Sequence, residues 1–216
     1  MREVVFVGTD KSVLESMNSY LAQVADVLGK LPVEALEQMI YRLEEARWKR
    51  QQVFVCGNGG SAATAIHFAS DLAKGALAVN KPPIKAESLC DNIALLTAWA
   101  NDVSYDEIFI QGMAPWIKAG DVLIAISGSG NSQNVLRAVD FGRAIGATTI
   151  GFTGFEGGKL KDMVDICITV PVDSMEQIED VHLLLCHLIT TCLRNMPPEL
   201  SEPKAFPETV SGRIRA

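Results

Sequence analysis

Paired cysteines, excess positive charge and long apolar runs are all missing from this sequence of 216 residues. The five cysteines are odd in number and include no C-x-x-C pair, which argues against a disulfide framework and against a thiolate zinc knuckle. The 19 Lys and Arg residues against 26 Asp and Glu residues give a net charge of −7. Such a balance predicts no direct binding to nucleic acid or to an acidic membrane.

Targeting and ATP-binding signals are also missing. No stretch approaches the roughly 20 apolar residues that a membrane span needs. The N-terminal segment MREVVFVGTDK lacks the longer apolar core of a secretory signal, and we therefore expect a cytoplasmic protein. The phosphate-loop pattern G-x-x-x-x-G-K-[ST] does not occur, which argues against an ATPase.

The periodicity of apolar residues predicts an α/β protein. Helical spacing over 12–31 and again from Pro32 indicates two N-terminal helices, and the second ends in Arg47, Lys49 and Arg50, expected to be solvated. Strands are predicted from Gln52, over 84–89, and from Asp121, Thr148 and Ile166. Helices are predicted after the first strand to about Lys74, after the second strand through Trp99, over 104–118, over 131–145 and over 175–194. This alternation indicates a parallel sheet with helices on both faces, followed by an extended proline-bearing tail over 196–216.

Two of the predicted strands end in loops of small residues. The first loop reads Gly57-Asn-Gly-Gly-Ser61 and the second reads Ser127-Gly-Ser-Gly-Asn-Ser132. Glycines let a backbone approach a ligand closely, and hydroxyls with free N–H groups at a helix start bind anions. Two such loops favour a phosphate site over plain strand-to-helix turns. The first loop also fits the dinucleotide pattern G-x-G-x-x-A, but that interpretation leaves the second loop unexplained.

Few histidines are available for catalysis or metal binding. His67 and Asp71 are four residues apart and share one face of the helix that leaves the first loop, as expected for two metal ligands or for a base and its partner. Glu179 and His187 point to one side of the last helix but lie about 12 Å apart along its axis. One ion would reach both only if the side chains lean together or two subunits contribute. His182 points elsewhere, and we expect a structural role for it.

Six motifs then occur in order along the chain. They are Cys56-Gly-Asn-Gly-Gly-Ser61, His67-Phe-Ala69, Ala100-Asn-Asp102, the serine loop 127–132, Thr153-Gly-x-x-Gly-Gly-Lys159, and Glu179-x-x-His with His187. Over about residues 11–195 the sequence resembles the sugar isomerase (SIS) domain, and it is most similar to the phosphoheptose isomerases. The resemblance implies a flavodoxin-like three-layer α/β fold with a parallel sheet over 51–195. It also implies extra N-terminal helices over 1–50.

The resemblance also implies an activity and an assembly. The expected reaction is an aldose–ketose isomerisation of sedoheptulose 7-phosphate to D-glycero-D-manno-heptose 7-phosphate, which feeds the heptose of bacterial surface glycans. The expected assembly is a homotetramer with active sites at subunit interfaces and one zinc ion per subunit. We expect the apolar stripe of the first helix to hold the subunits together, with packing against the chain's own sheet as the alternative. That stripe comprises Leu14, Met17, Leu21, Val24 and Leu28.

Site residues follow from the resemblance position by position. The expected substrate-binding residues are Asn58, Gly59, Gly60, Ser61, Asn101, Asp102, Ser127, Gly128, Ser129, Ser132 and Glu179. The expected metal ligands are His67, Asp71, Glu179 and His187, of which Asp71 and His187 are also the expected catalytic residues. The family has Glu at position 71 and often Gln at 179, and it commonly has a small hydroxyl residue at 128. Because all four metal-capable side chains are present, we interpret these departures as a retuned site.

Two other functions fit the same resemblance. Some members of the domain family are non-catalytic sugar-phosphate regulators or tetrameric adaptors for a replication initiator. The presence of Asp71 and His187 weighs against that alternative. A related isomerase or lyase acting on amino-sugar phosphates is the third possibility, and fold alone does not choose among them.

Overall fold

Five parallel strands form a single sheet in the computed structural model, which describes residues 12–197 and 200. The strands are β1 (Gln52–Gly57), β2 (Lys85–Ser88), β3 (Val122–Ser127), β4 (Thr148–Gly154) and β5 (Ile166–Val170). Their order across the sheet is β2-β1-β3-β4-β5, and every neighbouring pair is parallel. This is the flavodoxin-like order, so the predicted fold class is confirmed. Most of the predicted tail lies outside the described residues.

Helices cover both faces of this sheet. They are α1 (Val13–Leu28), α2 (Val33–Trp48), α3 (Gly60–Ser70), α4 (Ile93–Asp102), α5 (Ile108–Met113), α6 (Gln133–Ile145), α7 (Leu160–Met163) and α8 (Met175–Asn195). A π-helical segment, Asp71–Gly75, continues α3, and a 3₁₀ turn, Tyr105–Glu107, precedes α5. None of the helices within the described part of the chain is long and apolar enough to cross a membrane.

The helix predicted over 104–118 is wrong as a continuous element. The hydroxyl of Ser104 accepts a hydrogen bond from the backbone N–H of Asp106 at 3.1 Å, and the chain starts there with a 3₁₀ turn. Pro115 lacks a backbone donor, so α5 ends at Met113 after only six residues. The short helix α7 was not predicted.

The core lies between the sheet and its helices. All six residues of β3 are buried, as expected for a strand covered on both faces. The N-terminal helix is packed much less tightly: Leu14 and Leu21 are each 65% exposed and Met17 is 56% exposed. The alternative in which the whole stripe packs against the chain's own sheet is therefore wrong. The Tyr20 hydroxyl nevertheless ties α1 to α8 by donating to Asp180 Oδ2 at 2.6 Å.

A buried charge group connects α2 to the end of α8. Arg47, expected at a solvated helix end, is only 1% exposed, and burial lowers the pKa of its guanidinium. Its Nη1 lies 3.3 Å from Glu44 Oε2, and its Nη2 donates to the carbonyl of Ala76 at 2.9 Å. Lys81 Nζ lies 3.2 Å from Glu44 Oε1 and donates to the carbonyl of Met196 at 3.0 Å. These contacts fasten the chain just beyond the π-helical segment and at the end of α8.

Candidate active site

The two small-residue loops meet at one edge of the sheet. β1 and β3 are paired neighbours, and their carboxyl ends lead into Asn58 and Gly128 respectively. From β1 the chain adds β2 on one side of the sheet and then β3 on the other side. Open parallel sheets bind ligands at such a point between two strands. The topology thus brings the two predicted loops side by side.

The second loop has the form of an anion cradle. The hydroxyls of Ser127 and Ser132 lie 3.2 Å apart, and the Ser129 hydroxyl accepts from the backbone N–H of Asn131 at 3.2 Å. Gly130 has φ +64°, a left-handed conformation that favours glycine, and its N–H donates to the carbonyl of Ser127 at 2.9 Å. Three hydroxyls therefore gather at the start of α6, where the helix dipole favours an anion.

A third loop, 154–159, supports this cradle from behind. The N–H of Gly154 donates to the carbonyl of Gly128 at 2.8 Å, and the N–H of Lys159 donates to Asn131 Oδ1 at 3.2 Å. A Cβ added at Gly158, where φ is +56°, would overlap the carbonyl oxygen of Ser129. The Thr153-Gly-x-x-Gly-Gly-Lys159 motif is thereby explained, because its glycines allow two backbones to lie in direct contact.

Helices α3 and α8 run side by side in the same direction. Glu179 lies against Gly60, His187 lies against His67, and Thr190 lies against Gly75. Residues later in α8 therefore contact residues later in α3 and in the π-helical segment that continues it. Glu179 and His187 therefore reach different levels of α3, one at its first residue and the other two turns further on.

His67, Asp71 and His187 form a compact cluster. The Nε2 atoms of His67 and His187 lie 2.8 Å apart, and Asp71 Oδ2 lies 3.2 Å from His67 Nε2 and 3.7 Å from His187 Nε2. One potential ligand atom from each residue lies within 4.8 Å of the other two. Two imidazole nitrogens and a carboxylate oxygen are a donor set that suits zinc. The predicted sharing of one face by His67 and Asp71 is confirmed.

Glu179 lies outside this three-residue cluster. Its carboxylate lies over Gly60, so closely that a Cβ at that position would overlap both carboxylate oxygens. In this chain Glu179 thus lies at the first loop, and its place as a fourth ligand stays a prediction. The thiol of Cys186 lies beside the cluster, and burial, followed by the charge of Asp71, raises the pKa of that thiol.

A cavity of about 240 Å³ opens between the first loop and α4. Asn58, Gly59, Ala100 and Tyr105 are among its lining residues. Asn101 and Asp102 follow Ala100 at the exposed end of α4, where Asn101 Nδ2 donates to Asp102 Oδ1 at 2.7 Å. The predicted Asn-Asp pair thus follows a lining residue of this cavity along α4, but neither of its two members lines the cavity.

Sequence reasoning missed two polar residues that form hydrogen bonds with Asn58. The Tyr105 hydroxyl donates to Asn58 Oδ1 at 2.8 Å, and Asn134 of α6 exchanges two hydrogen bonds with Asn58. Asn134 lies only two residues beyond the second loop, but it belongs to none of the motifs. A polar residue in an amphipathic helix is ordinarily solvated, so the sequence carried no signal for its burial.

His182 has the structural role that its direction on the helix predicted. It is buried, and its Nε2–H donates to the carbonyl of Thr153 at 3.1 Å. Desolvation lowers its pKa from 6.5 to about 4, and the hydrogen bond to Thr153 opposes that shift. The ring is therefore neutral near pH 7, and it supports the strand that leads into the third loop.

Comparisons with known proteins agree with this geometry. A phosphoheptose isomerase of Helicobacter pylori is 38% identical over 160 residues, which are 74% of this chain and 83% of that protein. One from Mycobacterium tuberculosis is 45% identical over 139 residues, covering 64% of this chain and 70% of that protein. The solved phosphoheptose isomerase of Neisseria gonorrhoeae superposes with a TM-score of 0.78 at 31% identity, covering 84% of this chain and 98% of that one. The SIS domain model matches residues 18–154, more than half of the sequence, and the chain therefore belongs to the SIS domain family.

Proposed function

We propose that this protein is an aldose–ketose isomerase that converts sedoheptulose 7-phosphate to D-glycero-D-manno-heptose 7-phosphate. The observation that carries the proposal is the cluster of His67, Asp71 and His187 on the helices beside the serine loop. A site that only binds a sugar phosphate has no need of a carboxylate between two imidazoles. Two relatives that are 38% and 45% identical to this chain are phosphoheptose isomerases, which supports the same reaction class.

The substrate phosphate binds at the serine loop in this proposal. The hydroxyls of Ser127, Ser129 and Ser132 and the first N–H groups of α6 supply the donors. A Cβ added at Gly128 would lie 2.5 Å from the sulfur of Met175, so a side chain there would require the flexible Met175 side chain to move. The first loop, with Asn58, Gly59, Gly60 and Ser61, binds the sugar oxygens together with the pair Asn101 and Asp102 at the end of α4.

His67, Asp71 and His187 are the side chains that would hold a zinc ion, with Glu179 as the proposed fourth ligand. A bound zinc ion supplies Lewis-acid polarisation of the substrate oxygens. The Asp71 side chain is 25% exposed, whereas those of His67 and His187 are 45% and 57% exposed. The cluster is therefore open to a ligand from outside.

Proton transfer falls to the chain's own residues. A carboxylate, Asp71 or Glu179, removes the proton from the hydroxyl-bearing carbon next to the carbonyl group, and the same carboxylate returns it to the former carbonyl carbon. His187 moves protons between the carbonyl and hydroxyl oxygens. General acid–base steps of this kind contribute about 10²–10⁴-fold each. A metal ligand is held ionised, whereas a base requires a higher pKa, so the carboxylate that acts as the base, Asp71 or Glu179, would be the more weakly held of the two ligands.

The assembly we propose is a homotetramer in the cytoplasm, and its contribution to the cell is heptose for surface glycans. The exposed first half of the α1 stripe supports subunit contact through Leu14, Met17 and Leu21. Burying such side chains between subunits stabilises an assembly by removing apolar surface from water. A non-catalytic regulator of the same domain family is the alternative function.

The deciding experiment follows sedoheptulose 7-phosphate by NMR in the presence of purified protein. The protein is first treated with a chelator and then measured with and without added zinc. Zinc-dependent formation of an aldoheptose 7-phosphate supports both the isomerase and its ion. Turnover without metal keeps the isomerase and removes zinc from the proposal, while saturable binding without turnover favours the regulator.

A further inference from the structure

Asn58 and Asn134 form a closed pair of side-chain amides. Asn58 Nδ2 donates to Asn134 Oδ1 at 2.8 Å, and Asn134 Nδ2 donates back to Asn58 Oδ1 at 2.8 Å. Asn134 is only 2% exposed. A buried amide needs partners, and the side-chain partner of Asn134 in the described structure is Asn58. The pair therefore joins the first loop to the helix that follows the serine loop.

The orientation of both amides is determined by one backbone group. The N–H of Val135 donates to Asn134 Oδ1 at 3.0 Å. A backbone N–H can only donate, so the Asn134 atom that faces it must be the oxygen. Asn134 Oδ1 must therefore face Asn58 Nδ2, and Asn134 Nδ2 must face Asn58 Oδ1. Reversal of the Asn58 amide would place donor against donor and acceptor against acceptor.

Tyr105 occupies the remaining lone pair of Asn58. Its hydroxyl donates to Asn58 Oδ1 at 2.8 Å, so that this oxygen accepts two hydrogen bonds, the number its lone pairs allow. One N–H of the Asn58 amide then has no partner among these residues. Asn58 lines the cavity beside the first loop, and that N–H is the polar group it has left to offer a ligand.

The 3₁₀ turn that carries Tyr105 is itself attached to α6. Glu107, in the same turn, forms an ion pair with Arg137, which lies three residues beyond Asn134 on α6. Residues three apart on a helix project from neighbouring positions of its surface. One helix thus holds both partners of Asn58 in place.

We propose that Asn134 and Tyr105 are positioning residues that make Asn58 an obligate N–H donor to an acceptor oxygen of the bound sugar. The proposal rests on the proposed function, because it assumes that a sugar phosphate fills this cavity. Neither residue needs to touch the reacting atoms. Their effect on the substrate passes through the direction and polarity of the Asn58 amide.

The test is a double-mutant cycle on kcat/KM for sedoheptulose 7-phosphate. Tyr105→Phe removes one hydroxyl from a side chain that is 57% exposed, so this variant is expected to fold. We expect it to lower kcat/KM about 2- to 10-fold, mainly by raising KM, since one hydrogen bond that orients bound substrate is lost. Asn134→Asp cannot donate to Asn58 Oδ1, and we expect a loss of about 10- to 100-fold.

The diagnostic arm repeats both substitutions in an Asn58→Ala background, or in Asn58→Ser should the alanine variant not fold. If Tyr105 and Asn134 act through Asn58, each then changes kcat/KM less than about twofold. Tyr20→Phe is the matched control, because it also removes a hydroxyl bonded to a side chain but lies on α1, outside the cavity. We expect that control to leave KM unchanged.

Three results would count against the two proposals in different ways. An equal loss from Tyr105→Phe in both backgrounds overturns the positioning role. Absence of turnover by the unsubstituted protein overturns the proposed isomerase, and the same cycle measured by calorimetric binding of sedoheptulose 7-phosphate then decides the positioning role alone. An unsubstituted protein that neither converts nor binds this compound overturns both.

Discussion

The Nε2 atoms of His67 and His187 lie 2.8 Å apart, although 120 residues separate these histidines along the chain. A hydrogen bond between two ring nitrogens needs one donor and one acceptor, so one of the two rings presents a lone pair to the other. Asp71 Oδ2, 3.2 Å from His67, adds an acceptor at the same point. Acceptor atoms from the three side chains therefore lie close together, and a bound cation or a shared proton would stabilise this cluster.

Which of the two carboxylates acts as the base is testable by charge removal. Asp71→Asn keeps the shape of the side chain, and we expect it to lower kcat about 10²–10⁴-fold if Asp71 is the base. Glu179→Gln should then retain activity within about tenfold, since the family often has Gln there. Zinc content, measured by mass spectrometry after dialysis, separates a lost ligand from a lost base. Full activity of Asp71→Asn together with an inactive Glu179→Gln would assign the base to Glu179 instead.

Because the backbones of the second and third loops are in direct contact, we expect a methyl group added between them to destabilise the protein strongly. Gly158→Ala forces an alanine into a left-handed conformation and places its Cβ against the carbonyl of Ser129. We expect the free energy of unfolding to fall by about 1–3 kcal/mol and the affinity for inorganic phosphate to fall as well. Urea unfolding and calorimetry measure the two quantities.

Gly112→Ala is the matched control for that substitution. Gly112 lies within α5, and a Cβ there meets only an ordinary contact of 3.7 Å with Leu89. It should stabilise the protein by about 0.5–1 kcal/mol and leave phosphate affinity unchanged. Equal effects of both alanines would remove the special role of the third loop.

Burial of His182 predicts a dependence of stability on pH. Its pKa is about 4 in the folded protein, against 6.5 for the unfolded reference, so the unfolded state binds the extra proton between these values. The free energy of unfolding therefore falls as the pH drops from 6.5 to 4. The loss from this group is about 3 kcal/mol at most.

Urea titrations at pH 7 and pH 5 of the unsubstituted protein and of His182→Gln measure this contribution. Glutamine can still donate to the carbonyl of Thr153 but does not titrate. We expect the difference in unfolding free energy between the two pH values to be smaller in the variant. The same difference in both proteins would refute the assignment to His182.

If the exposed apolar face of α1 holds the subunits together, the number of subunits in the assembly should depend on the side chains of that face. Leu14→Glu combined with Leu21→Glu places two charges on that face, and we expect a smaller assembly by light scattering because buried charge disfavours subunit contact. Val79→Glu is the control, at an apolar residue that is 88% exposed in the turn before β2. An unchanged mass for the double variant would place the interface elsewhere.

The sequence predicted the elements better than their arrangement. Continuous apolar runs at β1 and β3 and the small-residue loops after them depend on local composition, and both were predicted. The order β2-β1-β3-β4-β5 depends on which strands pair, and periodicity does not contain that information. The resemblance to a known family supplied it.

Within the site, spacing along one helix was informative and contacts between helices were not. His67 and Asp71 share a face because four residues span about one turn, which a sequence shows directly. The side-by-side course of α3 and α8 cannot be read from either helix alone. For this reason the 12 Å separation of Glu179 from His187 posed a problem for one ion, whereas the structure gives each residue its own partner on α3.

The parallel pairing of α3 with α8 also has a consequence for biosynthesis. All five strands precede residue 171, but His187 lies in the second half of α8. Synthesis from the N-terminus therefore makes all five strands and both loops before the residue that completes the cluster of His67, Asp71 and His187. The cluster can then form only after α8 has been made, and a chain that terminates before α8 has no means of closing it.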